Sequence, residues 1–190
     1  MLDLLIFTVF TIVFEAIATY ASTRWFWAQA VSISVTLLLV CIVMMRWSGW
    51  AAIHAVVGGL VYCFAAGATT EQYIVYSVGN LFSLAALGLI KFIGKEKIRE
   101  SKIRLALFAT VAYLGMAVGR CVMSLFFGEN ISVFVLYVTT DIISLLFAVV
   151  VLVLIRNTDG MIEDQKTYLF RVEREEREQA DMPEEKETIL

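Results

Sequence analysis

Residues 112–127 read AYLGMAVGRCVMSLFF, and the rest of the chain has to accommodate them. The run is apolar, holds a Gly115-xxx-Gly119 pair and carries Arg120 directly after it. An arginine this deep in a hydrocarbon-length segment costs about 2.5–3.5 kcal/mol on insertion scales, so it must face a partner or water rather than lipid. The aspartate, glutamate and histidine side chains set inside other apolar runs are Glu15, His54 and Asp141. The reading is a helix bundle in which Glu15 and Asp141 meet Arg120. The plain alternative is a buried ion pair that fixes helix register. Intramembrane charges are functional by default.

Composition places the chain in a class before any motif does. With 60% hydrophobic residues, one proline and a mean hydropathy of +0.81, it reads as an all-α integral membrane protein. Its net charge of −3 conceals an asymmetry. Residues 157–190 hold eleven acidic and five basic groups, so that tail is at −6 and residues 1–156 are at +3. Nothing resembles a nucleic-acid surface. Cys41, Cys63 and Cys121 lie in apolar runs without a CxxC pair, and read as packing residues rather than a disulfide framework or zinc site.

Six spans of transmembrane length follow, at about 4–22, 25–46, 49–68, 72–93, 104–127 and 130–156. The first is not expected to be a signal peptide, because its leader holds Asp3 and no basic residue. Six lysines and arginines lie in 91–104 and six more from Arg156 onward, with Arg46 at the second turn. The other side carries Arg24 alone, so both termini are expected in the cytoplasm of a multi-pass cell-membrane protein.

Counting residues down each span at about 1.5 Å apiece puts Glu15, Asn80, Arg120 and Asp141 in one layer of the outer half. Tyr76, Tyr137 and Thr140 fall in or just above it. Such a layer suits a polar cavity, rimmed by Trp25, Phe26, Trp27, Tyr73 and Tyr76, that takes a small amphiphile with a ring and hydrogen-bonding groups. Trp25 and Trp27 also fit an ordinary interfacial belt. His54 lies apart and reads as a satisfied packing histidine. Small residues at Ala51, Ala55 and Gly59, at Gly115 and Gly119, and at Ala18 and Ser22 allow close helix approach.

The motifs of hydrolases, metalloproteases and phosphate-binding loops are missing, so neither enzyme activity nor a cofactor is expected. Any pumping needs ATPases on other chains. In the tail (157–190), Asp159 reads as a helix cap, with Met161, Gln165, Tyr168, Leu169 and Val172 along one stripe. Arg171/Glu175, Glu173/Arg177 and Arg174/Glu178 are spaced as i,i+4 pairs. The helix is expected to reach about 179, with disorder after Pro183.

The layout over 1–156 resembles the S component of an ECF-type vitamin transporter, and GWAAIHAVVGGLVYCFAAGATTEQYIVYSVGN looks similar to members of that family. The resemblance implies capture of a vitamin-like molecule in an outward-half cavity. Release inward then needs a T-type membrane subunit and two cytoplasmic ATPases. It also implies a coupling contact on the first helix, commonly an AxxxA pattern. Here Ala16 is followed four on by Tyr20, and Ala18 and Ser22 form the nearest small pair. Two other classes stand beside it: a structural six-helix membrane protein (MreD-like), in which the charges fix register, and a self-sufficient proton-coupled carrier using Glu15 or Asp141.

Overall fold

A computed structural model describes residues 2–25, 31–158 and 160–180. All regular structure in them is helical. The chain opens with α1 (Leu2–Trp25), then passes through an irregular stretch at 31–35 into α2 (Thr36–Trp47). A 3-10 turn (Ser48–Trp50) leads to α3 (Ala51–Ala66), which ends on Gly67 in the left-handed region at φ 67°. Next come α4 (Thr70–Gly79), a 3-10 run (Asn80–Ala86) and α5 (Leu87–Ile93). The short α6 (Lys95–Glu100) and the long α7 (Lys102–Phe126) follow. The last elements are α8 (Val133–Thr140), α9 (Ile142–Ile155) and α10 (Gln165–Ala180).

Four helical runs are long and apolar enough to cross a membrane, and α8 with α9, bent by 42°, adds a fifth. One of the four, Thr36–Ala66, is 31 residues long but is not a straight rod. The Cα of Gly58 sits directly against the Thr36 side chain. On a straight helix those residues would be about 33 Å apart. The chain therefore doubles back at Ser48–Trp50, where Ser48 takes φ 55°.

Helix α7 is the hub, packed against α2, α4, the 3-10 run, α6, α8 and α9. Its contact with α4 and the 3-10 run is backbone on backbone. A Cβ on Gly79 would lie 2.7 Å from the Arg120 amide nitrogen, and one on Gly119 would strike the Gly79 carbonyl. The Gly115/Gly119 pair of the opening stretch thus sets how closely two helices approach. Helix α1 packs mainly on α3 and leaves Leu5, Val9, Phe14, Ile17 and Tyr20 exposed. Exposed apolar surface of that length suits lipid or a neighbouring helix.

Two expected spans differ from the structure. The second was expected to be helical over 25–46, yet 31–35 is irregular and the helix starts only at Thr36. The sixth is broken at Asp141. Non-helical backbone survives at such depth only where its polar groups find protein partners, and here they do, as the next subsection shows.

The tail starts by clamping the basic end of the bundle. Arg46 Nη2 donates to Gln165 Oε1 at 2.5 Å and lies 3.8 Å from Asp3. Lys95 pairs with Asp164, and Glu163 accepts from Arg171 at 2.8 Å and lies 3.8 Å from Arg99. Ile162 is buried beneath them. Asp164 accepts from the Lys166 amide and so caps α10, whereas Asp159 and 181–190 lie outside the described residues. Along the expected stripe Met161, Gln165, Tyr168 and Val172 are half-buried, but Leu169 is exposed. Two of the expected pairs form, Arg174–Glu178 at 2.9 Å and Arg177–Glu173 at 2.6 Å. Arg171 reaches back to Glu163.

Burial pushes the Asp164 carboxyl up, but the Lys95 ammonium and the amides of Lys166 and Thr167 outweigh it and hold the group below its ordinary 3.8. A folded-state value below the unfolded one stabilises the docked tail above the ordinary value, and that stability is lost as pH falls through the lower one. Spin labels at Lys97 and Leu169 should therefore keep their separation from pH 7 to pH 5 and spread on further acidification. Asp164→Asn should broaden that distance already at neutral pH. A separation indifferent to both changes would remove this clamp from the account.

Candidate functional site

Arg120, in the C-terminal half of α7, is buried with 5% of its surface exposed. Its Nε donates to Asn80 Oδ1 at 2.8 Å, and its Nη1 pairs with Asp141 Oδ2. The guanidinium carbon lies 4.4 Å from the centroid of the Tyr76 ring. Tyr62 stacks on Tyr76 at 4.7 Å, so the two must occupy opposite faces of that ring. Tyr137 meets its edge at 6.0 Å and shares a 2.8 Å hydroxyl contact with Ser124.

The break at Asp141 follows from local chemistry. Thr139, Thr140 and Asp141 each offer a side chain that competes with helical backbone bonds. Asp141 takes φ −97°, ψ 9°, where α8 ends and α9 begins. The Thr140 carbonyl, freed there, accepts from the Ser32 amide at 3.0 Å. The Ser32 hydroxyl donates to Asp141 Oδ1, and the Ser144 hydroxyl accepts from the Ser34 amide at 2.9 Å. Thus the irregular stretch 31–35 lies against the break in the last span, each satisfying the other.

Asn80 is the first residue of the 3-10 run and donates through Nδ2 to the Ala55 carbonyl at 3.2 Å. Seven residues is a long 3-10 segment, of the kind that marks strain or function inside a helix. It starts where Gly79 meets the Arg120 backbone. One side chain thereby joins α3, the 3-10 run and α7.

Of the four groups expected to share a layer, Asn80, Arg120 and Asp141 meet and Glu15 does not. Glu15 Oε2 accepts from the Val35 and Thr36 amides, both at 2.8 Å, and Thr19 donates to Oε1 at 3.3 Å. The carboxylate sits at the positive N-terminus of α2, where two orphan amides need an acceptor. The expectation that Glu15 balances Arg120 is therefore corrected. Residue counting gives depth but not the direction in which a side chain points, and the stretch 32–36 lies between them. Glu15→Ala should leave the half-buried Val35 amide without an acceptor and the Thr36 amide with only its 3.2 Å bond to Ser34 Oγ, at about 1–3 kcal/mol. Glu15→Gln keeps an acceptor and should cost less. Melting temperatures of the two variants in detergent check this, and equal losses would contradict it.

The other candidates are placed as follows. Tyr76 and Tyr137 adjoin Arg120, whereas Thr140 contributes its carbonyl. Ser22 is turned inward, its hydroxyl on the Thr19 carbonyl at 3.0 Å, and Ala18 is half-buried. Trp25 ends α1 fully exposed to its surroundings, while Phe26 and Trp27 lie outside the described residues. His54 is buried with Nε2 3.4 Å from the Thr8 hydroxyl, but its Nδ1 has no hydrogen-bond partner, so it is only half satisfied. Ser32, Ser34, Ser124 and Ser144 are site residues that sequence reading missed. Val31-Ser32-Ile33-Ser34-Val35 alternates polar and apolar, a period of two that argues against a helix and was the available signal.

The space around these groups is uneven. The cavity bounded by Ser34, Tyr113, Arg120, Asp141 and Ser144 holds only about 10 Å³, room for a single water. Outside it, between the first turn of α4, the end of α7 and α8, a crevice of about 230 Å³ is lined by both polar and apolar side chains, Tyr76 and Tyr137 among them. A wider apolar groove of about 560 Å³ runs between α1 and α3, past Ile17, Tyr20 and Phe64. Its lining suits acyl chains.

These features define an all-helical protein, among the described residues, with several helices long and apolar enough to cross a membrane and a buried arginine–aspartate–asparagine cluster under a crevice. No protein-family model matches the chain, and no curated protein or solved structure is significantly similar to it.

Proposed function

We propose that the chain is the membrane-embedded capture subunit of an ECF-type transporter, taking a small vitamin-like molecule from the outer side. The crevice over Tyr76 and Tyr137 carries this reading. It opens at the end of the bundle opposite Lys95, Arg99 and the tail clamp, and ends on the aromatic layer that covers Arg120. At about 230 Å³ it is below the ~300–1,000 Å³ of drug-sized sites, so its occupant is small or partly exposed. In this reading the Arg120 cluster is the floor that holds the crevice in shape, and Tyr76 and Tyr137 touch the ligand.

The chain crosses the bilayer six times in this proposal, with both termini in the cytoplasm. Twelve residues of α2 supply about 18 Å and the irregular residues 31–34 before it at most about 13 Å, together about one hydrocarbon thickness. The α8–α9 pair supplies the last. A T-type subunit and two ATPases supply energy and release. The scaffold reading has one observation in its favour: Arg120 and Asp141 are paired with each other and with Asn80 and Ser32, as a register-fixing brace would be.

Reconstitution separates these readings. Alone in liposomes the chain should bind ligand and not accumulate it, with or without ATP. ATP-dependent accumulation should appear once T-type and ATPase partners are added. Uptake by the isolated chain under a proton gradient would favour a self-sufficient carrier instead, and no binding at all would favour the scaffold.

A further inference from the structure

The small cavity beside Arg120 borders a buried cation whose hydrogen-bonding capacity the protein uses only in part. A guanidinium has five N–H groups. Arg120 directs Nε at Asn80 and one Nη1 proton at Asp141. The other three, two of them on Nη2, have no acceptor among the described residues. The Tyr76 ring offers this cation a π-face but no lone pair. Buried N–H groups left without an acceptor carry their full desolvation cost.

Oxygens that line the same cavity have capacity to spare. Asp141 receives one donor on each carboxylate oxygen, out of about four lone-pair sites. The Tyr113 hydroxyl donates to the Val138 carbonyl and keeps its own lone pairs. The Ser144 hydroxyl accepts from the Ser34 amide, and its proton has only a 3.4 Å contact with the Ser32 carbonyl. Every side chain lining the space is buried except Tyr137, which is half-buried and also lines the crevice.

We infer that one ordered water occupies this cavity, accepting from an unpartnered N–H of Arg120 and donating to oxygens of the same lining. A buried water needs room for one sphere of its size and two to four polar partners. At about 10 Å³ the volume meets the lower bound for one water and leaves no space for a second. The water joins α7 to the break at Asp141, where an interrupted span depends on such partners. The inference goes beyond the capture reading and holds equally for a scaffold, since water rather than cargo completes the Arg120 cluster.

The test uses the full chain in nanodiscs under millisecond X-ray irradiation, which turns water into hydroxyl radicals that oxidise nearby methionines. Met116 lines the cavity, Met45 is fully buried in the apolar core, and Met161 is half-buried at the start of the tail. With a radical scavenger in the bulk solvent, Met116 should form sulfoxide severalfold faster than Met45. A radical born inside the cavity meets its neighbour before any scavenger, so the scavenger should slow Met161 far more than Met116. Ala117→Val, whose added methyl groups take up the space, should bring Met116 down to the Met45 rate. Met116 oxidising no faster than Met45 in the wild-type protein would overturn the inference. So would scavenger suppression as strong as at Met161, which signals access from bulk, or an unchanged Met116 rate in folded Ala117→Val. Should that variant fail to fold, the wild-type comparison decides alone.

Discussion

Arg120→Ala is expected to lower the melting temperature of the detergent-solubilised protein by roughly 10 °C, the equivalent of about 3–5 kcal/mol. The loss comes mainly from what is left behind. Asp141 would keep only the Ser32 hydroxyl, and Asn80 Oδ1 would lose its donor, in a cavity with room for about one water. An uncompensated buried carboxylate is far costlier than an absent ion pair, so removing both partners should be milder than removing one. Arg120→Met combined with Asp141→Asn should accordingly recover much of the lost stability. Arg120→Lys should fall between, because an ammonium can reach Asp141 but lacks the planar fork that engages Asp141 and Asn80 together. A variant that melts normally would show that water reaches the cluster and that the charges are not a brace.

The second large effect is expected at Gly119. Even a single methyl there would collide with the Gly79 carbonyl and the Phe82 side chain. The obstacle is in part backbone, so it cannot turn aside as a flexible side chain can. Overpacking of this kind costs about 1–3 kcal/mol where neighbours can shift and more where they cannot. Gly119→Val should separate α7 from α4 and the 3-10 run, and with them Asn80 from Arg120. Size-exclusion chromatography of a fluorescent fusion should show loss of the monodisperse peak. Gly88→Ala, with nothing within 4 Å of the added carbon, should behave as wild type. A monodisperse Gly119→Val protein would mean that the close approach is not required.

Much of this arrangement was legible in the sequence, for identifiable reasons. Depth along a helix is additive, so counting placed Asn80, Arg120 and Asp141 at one level. The cost of burying charge then joined Arg120 to Asp141. The same count placed Glu15 in that layer, and the pairing failed because rotation about the helix axis does not follow from depth. Its real partners are the amides at the start of α2. Those amides are free only because 31–35 is not helical, and hydropathy is blind to that difference. The break at Asp141 was written in Thr139-Thr140-Asp141 but outweighed by the strongly apolar run on either side. In the tail the helix was legible from its charge spacing, whereas its docking was not. Asp164 reaching Lys95 and Gln165 reaching Arg46 depend on where the nine residues between α9 and α10 place the chain.

The capture reading is tested most directly by what the protein carries. The full chain, purified in nanodiscs from the membrane of its own cells, is denatured, and the released small molecules are identified by mass spectrometry. Empty nanodiscs and Val133→Trp, which fills the crevice, serve as references. The account predicts one small amphiphile, near one per chain, absent from both references. Recovery of lipid alone from a wild-type protein that is folded and monodisperse would contradict it.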